Sequence, residues 1–373
     1  MTESTFIFII LLFVFTLCFL TFTFSQKFSR PHQCFGVTLN ENYQKNPSIL
    51  NITRQFFRYS TFIFIFSLLL ALIGYALLSE DTFGLAIPFL IILTMIGYFA
   101  VYIITHNKVK AFKKNLKEKP IVPTKMVVDT TFIQEKLRLK NIFKILFSAP
   151  LLFNLSISLY TFYRYPSVPD LIPMHWNFMG QIDAWTPKSF FTLLMPSIFS
   201  VFLVIMLLFT VTSLFNARGK LNPKKLEGSK KELLIYLKCQ AFSIYLLTLS
   251  ISLMFASIAF ATFTASAMSK PIMLIFGALL LAGVLLMLYG TFKYNRKRSP
   301  KTSEEEDFSY APEDDDNYWV WGSFYNNPND PSLFVEKRYG VGWTVNIGNK
   351  KGKWLLAFLT LFVLLSLSLP LIL

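Results

Sequence analysis

The stretch FGLAIPFLIILTMIGYFAVYIITHNKVKAFKKNLKEK, Phe83 to Lys119, decides the fold class. Up to Thr105 it holds no charged side chain, and at about 1.5 Å per residue that run covers a hydrocarbon core of about 30 Å. After Thr105 come Lys108, Lys110, Lys113, Lys114, Lys117 and Lys119. An apolar run closed by a basic block is the pattern of a membrane helix ending at a cytoplasmic loop.

The pattern repeats along the chain. Comparable runs at Phe6–Phe24, Phe62–Leu78, Ile142–Tyr163, Phe190–Thr212, Ala241–Thr264, Ile272–Phe292 and Trp354–Leu373 predict about eight transmembrane helices in all. The first run follows Glu3 with no Lys or Arg before it, and no small-x-small cleavage site follows it. It therefore reads as a retained helix rather than a signal peptide. The loops Gln26–Tyr59, His106–Asn141, Asn216–Lys238 and Lys293–Lys353 are rich in Lys and Arg, whereas Ser79–Thr82, Arg164–Lys188 and Ala265–Pro271 have few. This alternation puts the first set in the cytoplasm and both termini outside.

Composition points the same way. The chain has 373 residues, 54% hydrophobic and 17% aromatic with 41 Phe, and a mean hydropathy of +0.49, which excludes a soluble globule. Its formal charge of +15 is distributed over loops between apolar runs, so it marks topology and not a nucleic-acid partner. Cys18, Cys34 and Cys239 form no C-x-x-C pair or zinc-type spacing, and no disulfide is expected among them.

Within the runs the only ionisable side chain is Lys144, near one helix end where it can snorkel. Ion-coupled transport and intramembrane catalysis place such groups at membrane depth, so their absence speaks against both. Pro88, Pro150, Pro196 and Pro370 read as bends, and Ser257, Ala261 and Ala265 as a packing stripe. Asn46-Pro47-Ser48 starts an expected amphipathic interfacial helix over Ile49–Tyr59.

Two segments outside the spans have shape. RYPSVPDLIPMHWNFMGQIDAWTPK, Arg164 to Lys188, combines a stiff Pro-spaced entry with His175-Trp176-Asn177, a turn at Gly180, then Asp183 and Trp185. His175 and Asp183 are placed to pair, to take a ligand's polar groups, or with Asn177 to bind a divalent metal; equally, they serve as hydrogen-bonding partners of a structural turn. The second segment, Tyr318–Gly348, is rich in strand formers around the turn Asn326-Asn327-Pro328-Asn329-Asp330-Pro331, and predicts a two- or three-stranded β meander docked on headgroups or loops. Trp319, Trp321, Trp343 and Trp354 suit an interface. The basic patch and two acidic blocks that precede this module, in KYNRKRSPKTSEEEDFSYAPEDDD, read as a charged linker.

No H-E-x-x-H, G-x-S-x-G or P-loop occurs, and His32 and His106 fall in loops on the side opposite His175. No enzyme is expected, and no cofactor or metal.

The segment VPDLIPMHWNFMGQIDAWTPKSFF resembles the signature of the DUF1648 membrane-domain family at Pro169, Pro173, His175, Trp176, Asn177, Gly180, Asp183, Trp185 and Lys188. That family includes SdpI-like immunity and signalling proteins of Gram-positive bacteria. WGSFYNNPNDPSLFVEKRYGVGWTVNIG resembles a second family, DUF5808, which adds Trp321, Phe324, Tyr325, Asn326, Pro328, Asp330, Trp343 and Asn346 as module residues. FGVTLNENYQ resembles the FGV-type segment of the same larger proteins, with Asn40 where that pattern has Pro.

The sequence thus predicts an all-α polytopic membrane protein with a small cytoplasmic β meander near the C-terminus. Its segments are 1–163 with the N-terminal helices, 164–213 with the DUF1648-like loop and next helix, 214–292 with a helix pair, 293–317 as linker, 318–349 as the DUF5808-like module and 354–373 as a final helix. The shaped outward loop, the folded inward module and the lack of charge within the spans lead to the expectation of a bacterial cell-membrane protein that senses an extracellular peptide or envelope stress, with the bilayer and a cytoplasmic regulator as partners, and the resemblance implies SdpI-like immunity. Two rivals are a transporter or permease accessory, with a path along Asn154, Ser156, Ser158 and Tyr160, and a membrane-bound metal-dependent hydrolase using His175 and Asp183.

Overall fold

A computed structural model of the chain describes residues 3–29, 32–116, 129–177, 180–217, 221, 226–298, 314–340 and 342–372. Its elements in chain order are α1 (Glu3–Phe24), β1 (Gln33–Cys34), β2 (Val37–Thr38), α2 (Glu41–Gln44), α3 (Pro47–Leu77), α4 (Glu80–Lys114) and α5 (Thr130–Tyr163). Then follow β3 (Leu171–Trp176), β4 (Ile182–Pro187), α6 (Phe190–Asn216), α7 (Leu226–Thr264) and α8 (Lys270–Arg298). The remainder is β5 (Trp319–Val320), β6 (Phe324–Tyr325), β7 (Phe334–Glu336), β8 (Trp343–Val345) and α9 (Lys350–Ile372).

Among the described residues, seven helices are long and apolar enough to cross a membrane. The protein is a multi-pass, all-α membrane protein with a small β region near its C-terminus. The expected eighth span, Trp354–Leu373, falls on α9, whose side chains beyond Leu361 lie outside the described residues. So do the linker over 299–313 and the loop over 117–128.

Several helices run well past their apolar stretches, because amphipathic spacing continues into the charged segments. In α5 the residues before Asn141 carry Lys and Glu, yet Phe132 and Lys136 are buried in line with Phe143 and Phe147. The interfacial helix expected over Ile49–Tyr59 is not a separate element: it forms the first turns of α3. Asn46 caps that helix by accepting from the Ser48 N–H with Pro47 in the first turn, and nothing breaks the run after Tyr59. α6 starts with a reciprocal box in which the Ser189 and Thr192 side chains bond to each other's backbone N–H.

The chain forms two compact units, one of residues 1–125 with 295–373 and one of residues 126–294. Segment 1–163 is therefore divided: α1, α3 and α4 belong with the C-terminal β region, whereas α5 packs on α6 and α7. In the first unit Leu11, Phe15, Ala71 and Phe83 make one apolar core, and Phe35, Leu39, Ile49, Phe56 and Tyr102 make another at the β1–β2 end. In the second, Lys136 donates to Ala217 O at 2.6 Å and Lys140 to Asn216 Oδ1 at 3.1 Å, so α5 cations sit on the C-terminus of α6. Asp129 caps α5 and pairs with Lys230 of α7. The Lys230 ammonium, then the Thr131 hydroxyl and the Phe132 N–H, hold its carboxyl well below the usual range.

The β region is not a meander. β5–β6 and β7–β8 are separate antiparallel hairpins joined by a bridge between Tyr325 and Asn346. The dense Asn/Pro turn between them separates the pairs instead of linking adjacent strands.

Candidate functional site

The segment between α5 and α6 is a hairpin, β3 against β4, in which Leu171 faces Pro187, Ile172 faces Thr186 and Pro173 faces Trp185. Beyond that point the ladder slips twice: His175 faces Ala184 and Trp176 faces Ile182, so Met174 and Asp183 are extra residues on their strands. Such bulges re-aim side chains. Here they bring His175 Nδ1 within 2.7 Å of Asp183 Oδ1. A carboxylate only accepts, so Nδ1 is the donor in this pair. The pair is exposed, at 69% and 40% of the two side chains.

Both ends of the hairpin are fastened. At its root, Ile172 is buried with Val168 and Leu193, and Lys188 donates to Val168 O at 2.9 Å while pairing with Asp170. Tyr165 stacks on Phe190 with centroids 3.7 Å apart. At its tip, Gly180 adopts φ +76°, and Asn177 closes the turn by accepting from the Gln181 N–H and bonding through its own backbone to Gln181 and Gly180. The tip then leans on the α7–α8 connection: Trp176 Nε1 donates to Ser266 O at 3.0 Å, and the Met268 N–H donates to Gly180 O at 3.0 Å. A Cβ on Gly180 would lie 3.2 Å from that of Met268, so backbone shape and close approach both call for glycine there.

The sequence-read residues thus fall into two sets. Pro173, Trp176, Asn177, Gly180 and Lys188 hold the hairpin, whereas Met174, His175, Asp183 and Trp185 are exposed. Pro169 lies on the exposed approach to β3. Among the described residues no group of three or more His, Cys, Asp or Glu is placed to hold a metal ion. Asn154, Ser156, Ser158 and Tyr160 do not line one path: Asn154 is buried against Ser252 of α7, while Ser156 and Tyr160 are on exposed faces. Of the small-residue stripe, Ser257 and Ala261 are buried, and Ala265 is in the turn at φ +48°.

The C-terminal module has a different character. Asn346, fully buried, sends its amide to the carbonyls of Asn327, Asp330 and Ser332 and accepts from the Asn327 and Gly348 N–H groups, which fixes the Asn/Pro turn around Pro328. Tyr325 is buried and bonds Asp330, and burial pushes its hydroxyl up to about 12. Asn326 ties back to Tyr318 O. Trp343 is half-buried on β8, and Trp321 and Phe324 flank the β5–β6 turn.

Sequence reading missed the centre of this unit. Arg338, 1% exposed, bonds Asp315 and Asp316 and donates to Gly36 O at 3.1 Å, with Trp319 packed 4.9 Å from its guanidinium. Asp316 also accepts from the Thr38 N–H and from Lys113, which reaches Asp314 as well. Burial raises the Asp316 carboxyl, but Arg338 and Lys113 outweigh it and the net shift is downward. His106, expected in a loop, is buried near the end of α4 with Nδ1 2.9 Å from Phe35 O. Two tight turns meet there: Phe35-Gly36 and Trp321-Gly322 all have positive φ, and a Cβ on either glycine would come within 2.8 Å of the other's Cα. The paired aromatic-glycine dipeptides were the available signal.

Residues 152–199 match the DUF1648 domain of unknown function, and residues 328–353 match DUF5808, a family of unknown function. The first match contains the hairpin and the second contains Arg338 and Asn346. No curated protein and no solved structure matches the chain.

Proposed function

We propose that this is a non-enzymatic protein of a bacterial cell membrane whose β3–β4 hairpin faces outward and recognises an extracellular peptide or envelope component, in the manner of SdpI-like immunity or sensing. The observation that carries this reading is the division of labour in the hairpin. Its root and tip are fastened, while the outward face presents an imidazole–carboxylate pair with Met174 at 41% and Trp185 at 52% exposure. A rigid platform with an aromatic and a paired charge is suited to binding, since little ordering entropy is lost on contact. The absence of ionisable side chains inside the apolar runs other than Lys144 favours this over transport.

The test is sensitivity of the host cell to membrane-active peptides and envelope stress after His175→Ala with Asp183→Ala, at unchanged protein level. Increased sensitivity is expected. Wild-type behaviour would remove the hairpin face from the function.

A further inference from the structure

The β5–β6 turn occupies an unusual level in its unit. Trp321 and Phe324 both pack edge-on to Phe99 of α4, with centroids 6.1 Å apart in each case. Phe99 lies on the apolar side of Lys108, and nine residues of helix place it about 13 Å away from the level of that lysine. α3 gives an independent gauge. Lys108 bonds Gln55 and lies over Tyr59, whereas a Cβ on Gly97 would touch Ile63, past the last charge of α3 at Arg58. Lysine ammonium groups mark the headgroup level, so the Trp321 and Phe324 rings that reach Phe99 sit on the acyl side of it.

Non-helical backbone survives at such a level only where protein covers its polar groups. The turn meets that condition. Gly322 is buried against Gly36 and His106, and the Ser323 N–H bonds Val320 O at 3.2 Å. The side chains face the other way: Trp321 is 45% and Phe324 39% exposed. Trp321 holds φ +50°, a conformation disfavoured for an aromatic residue, so its direction is imposed by the turn. Beside them on α4, Met95 and Ile96 are exposed as a lipid-facing surface.

We infer that the β5–β6 turn is a membrane wedge: Trp321 and Phe324 insert at the boundary between headgroups and acyl chains, and their partner is the bilayer itself. The module would thereby be fixed on one side by Arg338 and Gly36 and on the other by lipid. The test uses the full chain in phosphatidylcholine vesicles, with lipid brominated near the glycerol end of its acyl chains or with aqueous acrylamide as quencher of Trp emission. Trp321→Phe should abolish a component that brominated lipid quenches and acrylamide does not. If the lost component is quenched by acrylamide instead, or by neither agent because a second copy covers it, the inference fails. A nitroxide on Phe324→Cys gives an independent reading: collision with oxygen above collision with a water-soluble nickel chelate is expected, and the reverse order overturns the proposal.

Discussion

The C-terminal β module and the β3–β4 hairpin use their polar residues in opposite ways. In the C-terminal module Arg338, Asp315, Asp316 and Asn346 are turned inward with Lys113 of α4 joined to them, and almost every donor and acceptor in that group has a partner within the unit. In the β3–β4 hairpin the fastening is done by backbone, Trp176 and Lys188, and the imidazole–carboxylate pair at its middle is left exposed. Buried ionic groups specify a structure, whereas an exposed pair contributes little to stability and is available to a partner. The difference separates a region built to close the fold from one that can be altered without unfolding it.

That comparison can be broken at several points, from large effects to small. Arg338→Met leaves the half-buried Asp315 without its cation and Asp316 with Lys113 alone, and the loss of these charged hydrogen bonds should cost the module about 1.5–3 kcal/mol; limited proteolysis of the 314–349 region in detergent would show it as rapid cutting. Gly36→Ala puts a side chain into a left-handed position against Gly322, at a cost of about 1–2 kcal/mol from backbone strain alone, read as a lowered thermal midpoint. Trp176→Phe removes one hydrogen bond at the hairpin tip, about 0.5–1.5 kcal/mol, and faster amide exchange confined to residues 176–182 is the expected signature. His175→Ala and Asp183→Ala should each move stability by less than about 0.5 kcal/mol, and a large destabilisation would show that this pair is structural after all.

The module also has a defined response to acid. Because the folded-state carboxyl of Asp316 lies below its unfolded value, its contribution is fully present above that unfolded value and is lost as pH falls through the depressed one. The module should therefore stay protected from protease at about pH 5 and open only below about pH 4. Opening near pH 6 would point instead to a histidine and overturn the assignment to Asp316.

Much of the fold was legible because membrane helices announce themselves by length of apolar run, and the Arg164–Lys188 segment by its proline, glycine and turn residues. The ends of the helices were not, since the amphipathic turns at Thr130–Asn141 and Pro47–Tyr59 are held by packing that hydropathy does not register. The pairing of His175 with Asp183 was readable as a candidate, but the two bulges that create it were not. Arg338 was passed over because an arginine in a basic loop ordinarily marks topology; only the partners Gly36, Asp315 and Asp316 show that it is buried. Residues so far apart in sequence carry no local pattern.

That separation has a consequence for how the protein is made. Arg338 and Gly36 stand 302 residues apart, and at about 5–20 residues per second the ribosome needs about 15–60 s to travel from one to the other. During that interval the second unit, whose residues are contiguous, has its whole sequence available, while the Phe35-Gly36 turn has its α3 and α4 neighbours but waits for Arg338 and Gly322. The first unit is thus completed only after the second, because the segment that carries Arg338 and Gly322 to Gly36 is made after residues 126–294.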